Sequence, residues 1–368
     1  MSFSKLIDNY NWDKIKSEIY SRTSVDVELA LSEDKRTLSD FISLISPAAM
    51  QYIEQMAIMS NKLTQERFGK TIQLFIPLYL SNECQNQCLY CGFSNTNNFP
   101  RKTLTENEIL KEVEIIKKYG YEHILLVTGD HPEKVGFEYI KNVIKLIKPY
   151  FSLLSIEVQP LEQSEYEELI AQGLHTVYIY QETYNEKHYP VYHPSGTKSN
   201  FEYRLDTPDR LGKAGIHRTG MGILIGLEDW RVDSVFTMLH LKYLQKNYWK
   251  TKYSVSFPRL RPHIGNFIPN FTISDKELVQ LITAYRLIDN ELELSVSVRE
   301  SPKFRNNIIK LGVTSMSAGS KTLPGGYYHK YTELEQFEIH DNRSPSEFVE
   351  VIKSQGYEAV WKDWDSFF

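Results

Sequence analysis

The chain has 368 residues, 41% hydrophobic and 24% charged, which is enough apolar material for a packed core and excludes wholesale disorder. A net charge of −5 gives no reason to expect nucleic acid or an anionic membrane surface as a partner, and the 24 tyrosines lack the interleaved basic residues that nucleic-acid stacking uses. No window approaches the ~20 uninterrupted apolar residues of a membrane span. The N-terminal stretch MSFSKLIDNYNWDKIKSEI carries acidic residues and has no apolar h-region, so it does not read as a signal peptide, and a cytoplasmic, reducing compartment is expected.

In chain order, residues 1–70 read as a helical extension. Pro47 stands near a helix start and is followed by apolar residues at three-to-four spacing as far as Met59. From Thr71 the texture changes to short apolar runs alternating with amphipathic stretches. The runs are 72–80, 123–127, 153–158, 176–180, 218–225, 253–257, 292–298 and 312–317. Helical segments are predicted between them over 106–119, 137–147, 162–172, 204–214, 232–245, 276–289 and 302–310. Eight strands with intervening helices make an α/β fold, a (β/α)8 barrel over residues 71–320, with 321–368 closing or flanking it. A doubly wound open sheet is the alternative, and the strand count favours the barrel. The Gly/Pro-rich stretch from Ser320 to His329 reads as a turn folded over the barrel mouth.

In such barrels the chemistry sits on the loops that follow the strands. All three cysteines, Cys84, Cys88 and Cys91, lie in the loop after the first run. An odd count in a reducing compartment argues against a disulfide framework. Zinc would need a fourth donor, and the nearest histidine, His123, is far along the chain. A cubane iron–sulfur cluster held by three thiolates keeps one iron open for a small molecule, which is the use this spacing suits best. A zinc-stabilised scaffold remains the competing reading. Thr128-Gly129-Asp130 follows the second run, Glu157 ends the third, and Glu182 follows the fourth. Arg259 and Arg261 follow the sixth, Arg299 the seventh, and Ser317 ends the eighth. Polar residues thus collect on one rim.

The CxxxCxxC spacing, with Tyr90 before the last cysteine, resembles the signature of the radical S-adenosylmethionine (SAM) superfamily. The resemblance implies a 4Fe-4S cluster on Cys84, Cys88 and Cys91, with SAM on the open iron. It also implies SAM contacts from Thr128, Gly129 and Asp130, which stand where relatives carry a Gly-Gly-Glu-like triplet, and from Tyr90, Glu157 and Arg204. The stretch from Tyr203 to Ile216 is similar to the arginine-bearing helix of biotin synthase and its relatives.

Taken end to end, the chain resembles the aromatic-amino-acid lyase branch, in particular the tyrosine lyases of thiamin thiazole biosynthesis. The resemblance rests on Pro77–Ser94, Leu126–His131, Glu157–Leu161, Tyr180–Asn185, Ser256–Pro262 and Ser317–Ser320. It implies splitting of SAM to methionine and a deoxyadenosyl radical, then scission of the Cα–Cβ bond of L-tyrosine to 2-iminoacetate and p-cresol. Arg299 and Ser317 are then expected to hold the substrate carboxylate, with Arg259 and Arg261 as rivals. Glu182 is expected at the SAM ribose or the substrate, and His131 as an aid to proton movement. Implied partners are thiazole synthase and a flavodoxin or ferredoxin as electron donor. Tryptophan or a deazaflavin precursor are the alternative substrates within the branch. No cysteine follows Cys91, so a second cluster like that of the hydrogenase-maturing tyrosine lyase is not expected, and the reaction should stop at the imino acid.

Overall fold

The computed structural model describes residues 2–262, 267–329 and 335–362. Eight parallel strands close into a barrel: β1 (Thr71–Ser81), β2 (His123–Thr128), β3 (Leu153–Glu157), β4 (Leu174–Tyr178), β5 (Arg218–Gly222), β6 (Lys252–Ser256), β7 (Glu293–Val296) and β8 (Ser315–Ser317). Closure is made by β1, which pairs β8 through Gln73–Phe75 and β2 from Ile76 onward. The strands read as nearly continuous apolar runs because helices cover the outside while side chains fill the inside. A ninth strand, β9 (Glu358–Val360), pairs with Thr71–Gln73 at the foot of β1. Sequence reasoning missed it, since three residues carry no periodicity.

Local chemistry starts the barrel helices where they start. Thr105 and Glu108 form a reciprocal capping box before helix Glu106–Lys118, and Ser274 with Glu277 does the same for helix Asp275–Ile288. Two boundaries differ from expectation. The predicted helix over 204–214 is two helices, Phe201–Leu205 and Thr207–Ala214. Pro208 cannot donate to the preceding turn, so the chain breaks at Asp206. The freed Asp206 carboxylate accepts from the Ser4 backbone N–H (3.1 Å) and hydroxyl (2.8 Å). The segment beginning at Pro47 opens as a 3-10 turn, Pro47–Tyr52, before the α-helix Ile53–Phe68.

The helices preceding β1 lie against the outside of the barrel. Phe3 stacks on His240 at 4.0 Å between ring centroids, and Gln280 donates to the Leu44 and Ser46 carbonyls at 2.9 and 2.8 Å. Inside the barrel, aromatic rings claim space that glycine concedes. A Cβ on Gly220 would lie 2.1 Å from the Tyr178 ring, and one on Gly222 2.7 Å from the Ser256 carbonyl oxygen. These two β5 glycines let Tyr178 and Tyr180 turn inward.

At the C-terminal side, Arg305 joins the buried carboxylate of Asp341 and the carbonyl of Ser317, fixing the end of β8. Burial works to raise the Asp341 carboxyl, but Arg343 and Arg305 outweigh it and hold it below the usual carboxylate range. Asp341→Ala would leave Arg305 buried without its counter-charge, and we expect a loss of about 3–5 kcal/mol in urea unfolding. The wild-type contribution is present above roughly pH 4 and is lost as pH falls through the depressed native value, so the gap between the two proteins should close in acid.

Candidate active site

The loop after β1 has no ladder of its own, so its backbone groups are satisfied by neighbours. Arg101 donates to four carbonyls of this region: Asn82 and Phe93 through one terminal nitrogen, Ser94 and Asn97 through the other. Asn86 ties the loop to two others. Its amide nitrogen donates to the Asp130 carboxylate (2.8 Å), and its oxygen accepts from the Lys198 backbone N–H (3.0 Å). The contacts are close enough to demand glycine. A Cβ on Gly129 would sit 2.3 Å from the Glu83 oxygen, and one on Gly196, at φ +91°, 2.2 Å from the Asn86 side-chain oxygen. The Thr128–Asp130 turn is therefore pressed against the cysteine loop, with the Gln85 N–H bonded to the Asp130 carbonyl at 2.9 Å.

Cys84, Cys88 and Cys91 all line one cavity at the barrel mouth, which holds about 1560 Å³ out to its opening. Burial pushes the Cys84 thiol up to about 12 and raises Cys88 and Cys91 as well. Thiolates there need the positive charge of bound metal, and binding will release protons. Among the described residues no three Cys, His, Asp or Glu side chains converge on a point where one ion would sit. Three thiols spread around a cavity suit a cluster, in which each sulfur meets a different iron, better than zinc, which wants four donors at one centre. Gln336 adds a contact that sequence reasoning missed. It donates to the Cys91 sulfur at 3.7 Å and accepts from the Tyr79 hydroxyl at 2.8 Å.

Along one wall runs a charged set. Lys198 reaches the Glu182 carboxylate at 2.5 Å, and Arg204 lies 3.7 Å from the same oxygen while donating to the Tyr180 carbonyl at 2.7 Å. Glu182 is held at φ +69°, a conformation that costs a non-glycine residue about 1–2 kcal/mol. Strain kept in a buried acid at a cavity wall points to function. Tyr90 lines the cavity with its hydroxyl bonded to His193 Nε2 at 2.6 Å, while His193 Nδ1 faces the Tyr189 carbonyl at 2.9 Å. Burial lowers the His193 pKa well below its ordinary value, so the neutral ring donates from Nδ1 and accepts the tyrosine proton at Nε2.

Two groups in the cavity stand out by what they lack. Glu157, at the tip of β3, has no hydrogen bond or ion pair to its carboxylate among the described residues, and burial pushes it up to about 7 against the opposing pull of Arg299. Arg299 stacks on Phe337 at 3.4 Å and touches only the Arg259 carbonyl, at 3.5 Å, with no carboxylate in ion-pair range among the described residues. Its rivals are committed elsewhere: Arg259 forks onto Glu300 and meets Asp275 at 2.9 Å, and Arg261 reaches Glu300 at 2.9 Å. Ser317 also lines the cavity, its hydroxyl oxygen accepting from the Val298 N–H at 3.2 Å.

The structure thus gathers twelve of the thirteen sequence candidates around one cavity: Cys84, Cys88, Cys91, Tyr90, Thr128, Gly129, Asp130, Glu157, Glu182, Arg204, Arg299 and Ser317. His131 is the exception. It caps helix Pro132–Val135 and does not line the cavity, so it is not positioned to move a proton there. Lys198, Asn86 and Gln336 were missed. Gly196 and Gly92 mark the close approaches around them, the latter with a Cβ position 2.4 Å from the Gln336 carbonyl oxygen.

Two family models match: the radical SAM superfamily over residues 78–239, and the biotin and thiamin synthesis associated domain over residues 256–358. The chain is 49% identical over 367 residues to the 2-iminoacetate synthase of Escherichia coli, covering 100% of this chain and 97% of that protein. It is 49% identical over 357 residues to the Salmonella typhimurium enzyme of the same name, covering 97% and 95%. Among solved structures, HydG, a maturase of FeFe-hydrogenase, superposes with a TM-score of 0.89 at 31% identity over 95% of this chain and 80% of that one. Methylornithine synthase, at a TM-score of 0.72, 19% identity and coverage of 91% and 97%, shares the fold. Identity near one half along the whole length, on a barrel whose mouth collects the three thiols, makes this chain a member of the radical SAM superfamily and of its 2-iminoacetate synthase family of lyases.

Proposed function

We propose that the protein cleaves the Cα–Cβ bond of L-tyrosine to 2-iminoacetate and p-cresol, with SAM split to 5′-deoxyadenosine and methionine, for thiamin thiazole synthesis. One observation carries the choice of an amino acid: the cavity offers an unpaired carboxylate, Glu157, and an unpaired guanidinium, Arg299, which together complement a zwitterion. Phe75, Tyr79, Phe93, Tyr178 and Tyr180 supply an aromatic lining that suits an aromatic side chain. The shared name of the two half-identical relatives supports the reaction.

In this reading Cys84, Cys88 and Cys91 hold a 4Fe-4S cluster, and Asp130, Arg204, Glu182 and the backbone of Thr128 and Gly129 hold SAM, with Tyr90 against it; Glu157, expected from the sequence at SAM, is assigned to the substrate instead because it shares the cavity with Arg299. When bound, the cofactor pair supplies the deoxyadenosyl radical that takes hydrogen from the substrate. The chain's share is positioning and exclusion of water. Arg299 pairs with the substrate carboxylate and Ser317 donates its hydroxyl hydrogen to it. An electron donor of the flavodoxin or ferredoxin type serves the cluster. The imine hydrolyses readily, so direct transfer to thiazole synthase follows, in a cytoplasmic setting.

Anaerobic reconstitution should load about four irons per chain, and Cys88→Ser should lose most of them; one zinc and no iron would end this reading. The loaded protein with reductant, SAM and tyrosine should release p-cresol, and tryptophan consumed in its place would redirect the substrate. Arg299→Met should raise the KM for tyrosine by roughly 100-fold, the equivalent of about 3 kcal/mol, while SAM affinity stays constant. An unchanged KM would return Arg299 to a bracing role.

A further inference from the structure

We infer that the Glu157 carboxylate accepts the proton of the substrate's ammonium group, so that the amino acid meets the radical as a neutral amine. The inference rests on the amino-acid reading of the cavity. Glu157 stands at the tip of β3, paired in register with Val127 of β2, and faces into the space that Arg299 faces from the loop after β7.

The charged and titratable groups around Glu157 are accounted for. Arg299 acts on it most strongly, followed by Glu182, Lys198 and Arg204 from the segments after β4. Tyr79 of β1, Tyr178 of β4 and Tyr180 just after it also feel its charge. Lys198 is bonded to Glu182, and Arg204 to the Tyr180 carbonyl. Arg299 is the cation the substrate carboxylate needs. No neighbouring cation among the described residues therefore pairs with Glu157, and a partly buried carboxylate without a partner is costly to desolvate further unless a ligand brings one. The ammonium of a bound amino acid is that partner.

Other acids of the cavity are already engaged. Asp130 accepts from Asn86, and Glu182 from Lys198. Glu157 is also poised for the exchange, since burial brings it to about 7, where both protonation states are accessible. In the step itself one N–H bond of the ammonium breaks heterolytically. The electron pair stays on nitrogen, and the proton passes to a Glu157 oxygen, giving an amine and a neutral carboxylic acid. The exchange cancels the charge of the substrate ammonium against that of Glu157, in a cavity that already holds Arg299, Arg204 and Lys198. Hydrogen-atom removal from an ammonium would instead create a radical cation beside those three.

Glu157→Gln keeps the shape and removes the proton acceptor. In the reconstituted protein it should lower kcat for p-cresol release by at least ~100-fold with the cluster spectrum unchanged, whereas a loss of SAM binding would return Glu157 to the cofactor and overturn the inference. The wild-type kcat/KM should fall tenfold per pH unit below about pH 7, the Glu157 value, and this acid limb should vanish in E157Q but persist in Glu157→Asp. Tyrosine binding should release about one proton to buffer well below pH 7, where Glu157 starts protonated, and none well above it, where the proton only moves from nitrogen to Glu157. An E157Q protein with kcat within about threefold of wild type, or with the acid limb intact, overturns the inference. A wild type that releases no p-cresol sinks the tyrosine reading instead, so the two failures are separable.

Discussion

Asn86 is the point on which the site depends. A loop that presents three thiols to a cavity cannot pair its backbone with a neighbouring strand, so side chains must hold it. Asn86 binds the Asp130 carboxylate on one side and the Lys198 backbone on the other, joining the loops after β1, β2 and β4. Gly129 and Gly196 permit that approach, because a methyl group at either would overlap the opposing chain. Arg101 completes the frame from behind, its fork spread over four carbonyls. The thiols are thus fixed by polar contacts in which they take little part, and metal loading need not build the loop.

The same frame sorts the charges. Lys198 and Arg204 converge on Glu182, the strained acid of the same cavity that Glu157 and Arg299 line. Glu182 is paired within the protein, while Glu157 and Arg299 have no ion-pair partner among the described residues. A closed barrel makes this possible because its rim brings loops from all eight strands to one opening, at the end where strand tips diverge. Fixing β8 through Arg305 and Asp341 matters for the same reason, since Ser317 ends that strand and borders the cavity.

The barrel was legible because its strands are short apolar runs buried on both faces, with capping boxes such as Thr105–Glu108 between them. The strand-tip position made Glu157, Arg299 and Ser317 readable as rim residues. What could not be read was pairing across loops. Arg259, Arg261 and Arg299 are equivalent as letters, and only the structure shows that Glu300 takes the first two. Arg299 and Glu300 are neighbours in sequence yet serve different partners. Asn86, Lys198 and Gln336 sit where tertiary contact alone sets the register, and a glycine beside them reads equally well as ordinary turn chemistry. His131 is the converse case: adjacency to Asp130 suggested a role, but it stands at the N-cap of helix Pro132–Val135 and is not among the cavity-lining residues.

Leaving Glu157 and Arg299 unpaired has a stability cost that an isolated fold would remove by letting them meet. They do not meet, because Arg299 is held on the face of Phe337 and on the Arg259 carbonyl. Arg259 is itself anchored by Glu300 and Asp275. The ion-pair network around Glu300, remote from the thiols, is therefore what keeps a guanidinium available for a ligand carboxylate. Arg259, Arg261 and Glu300 are shielded from solvent, so their geometry is firm, whereas Asp275 is exposed and adds little. Binding of a zwitterion would then satisfy both charges at once, and neither a carboxylate nor an amine alone could do so. On the proposed reading, a preference for amino acids rests on the two side chains not meeting each other.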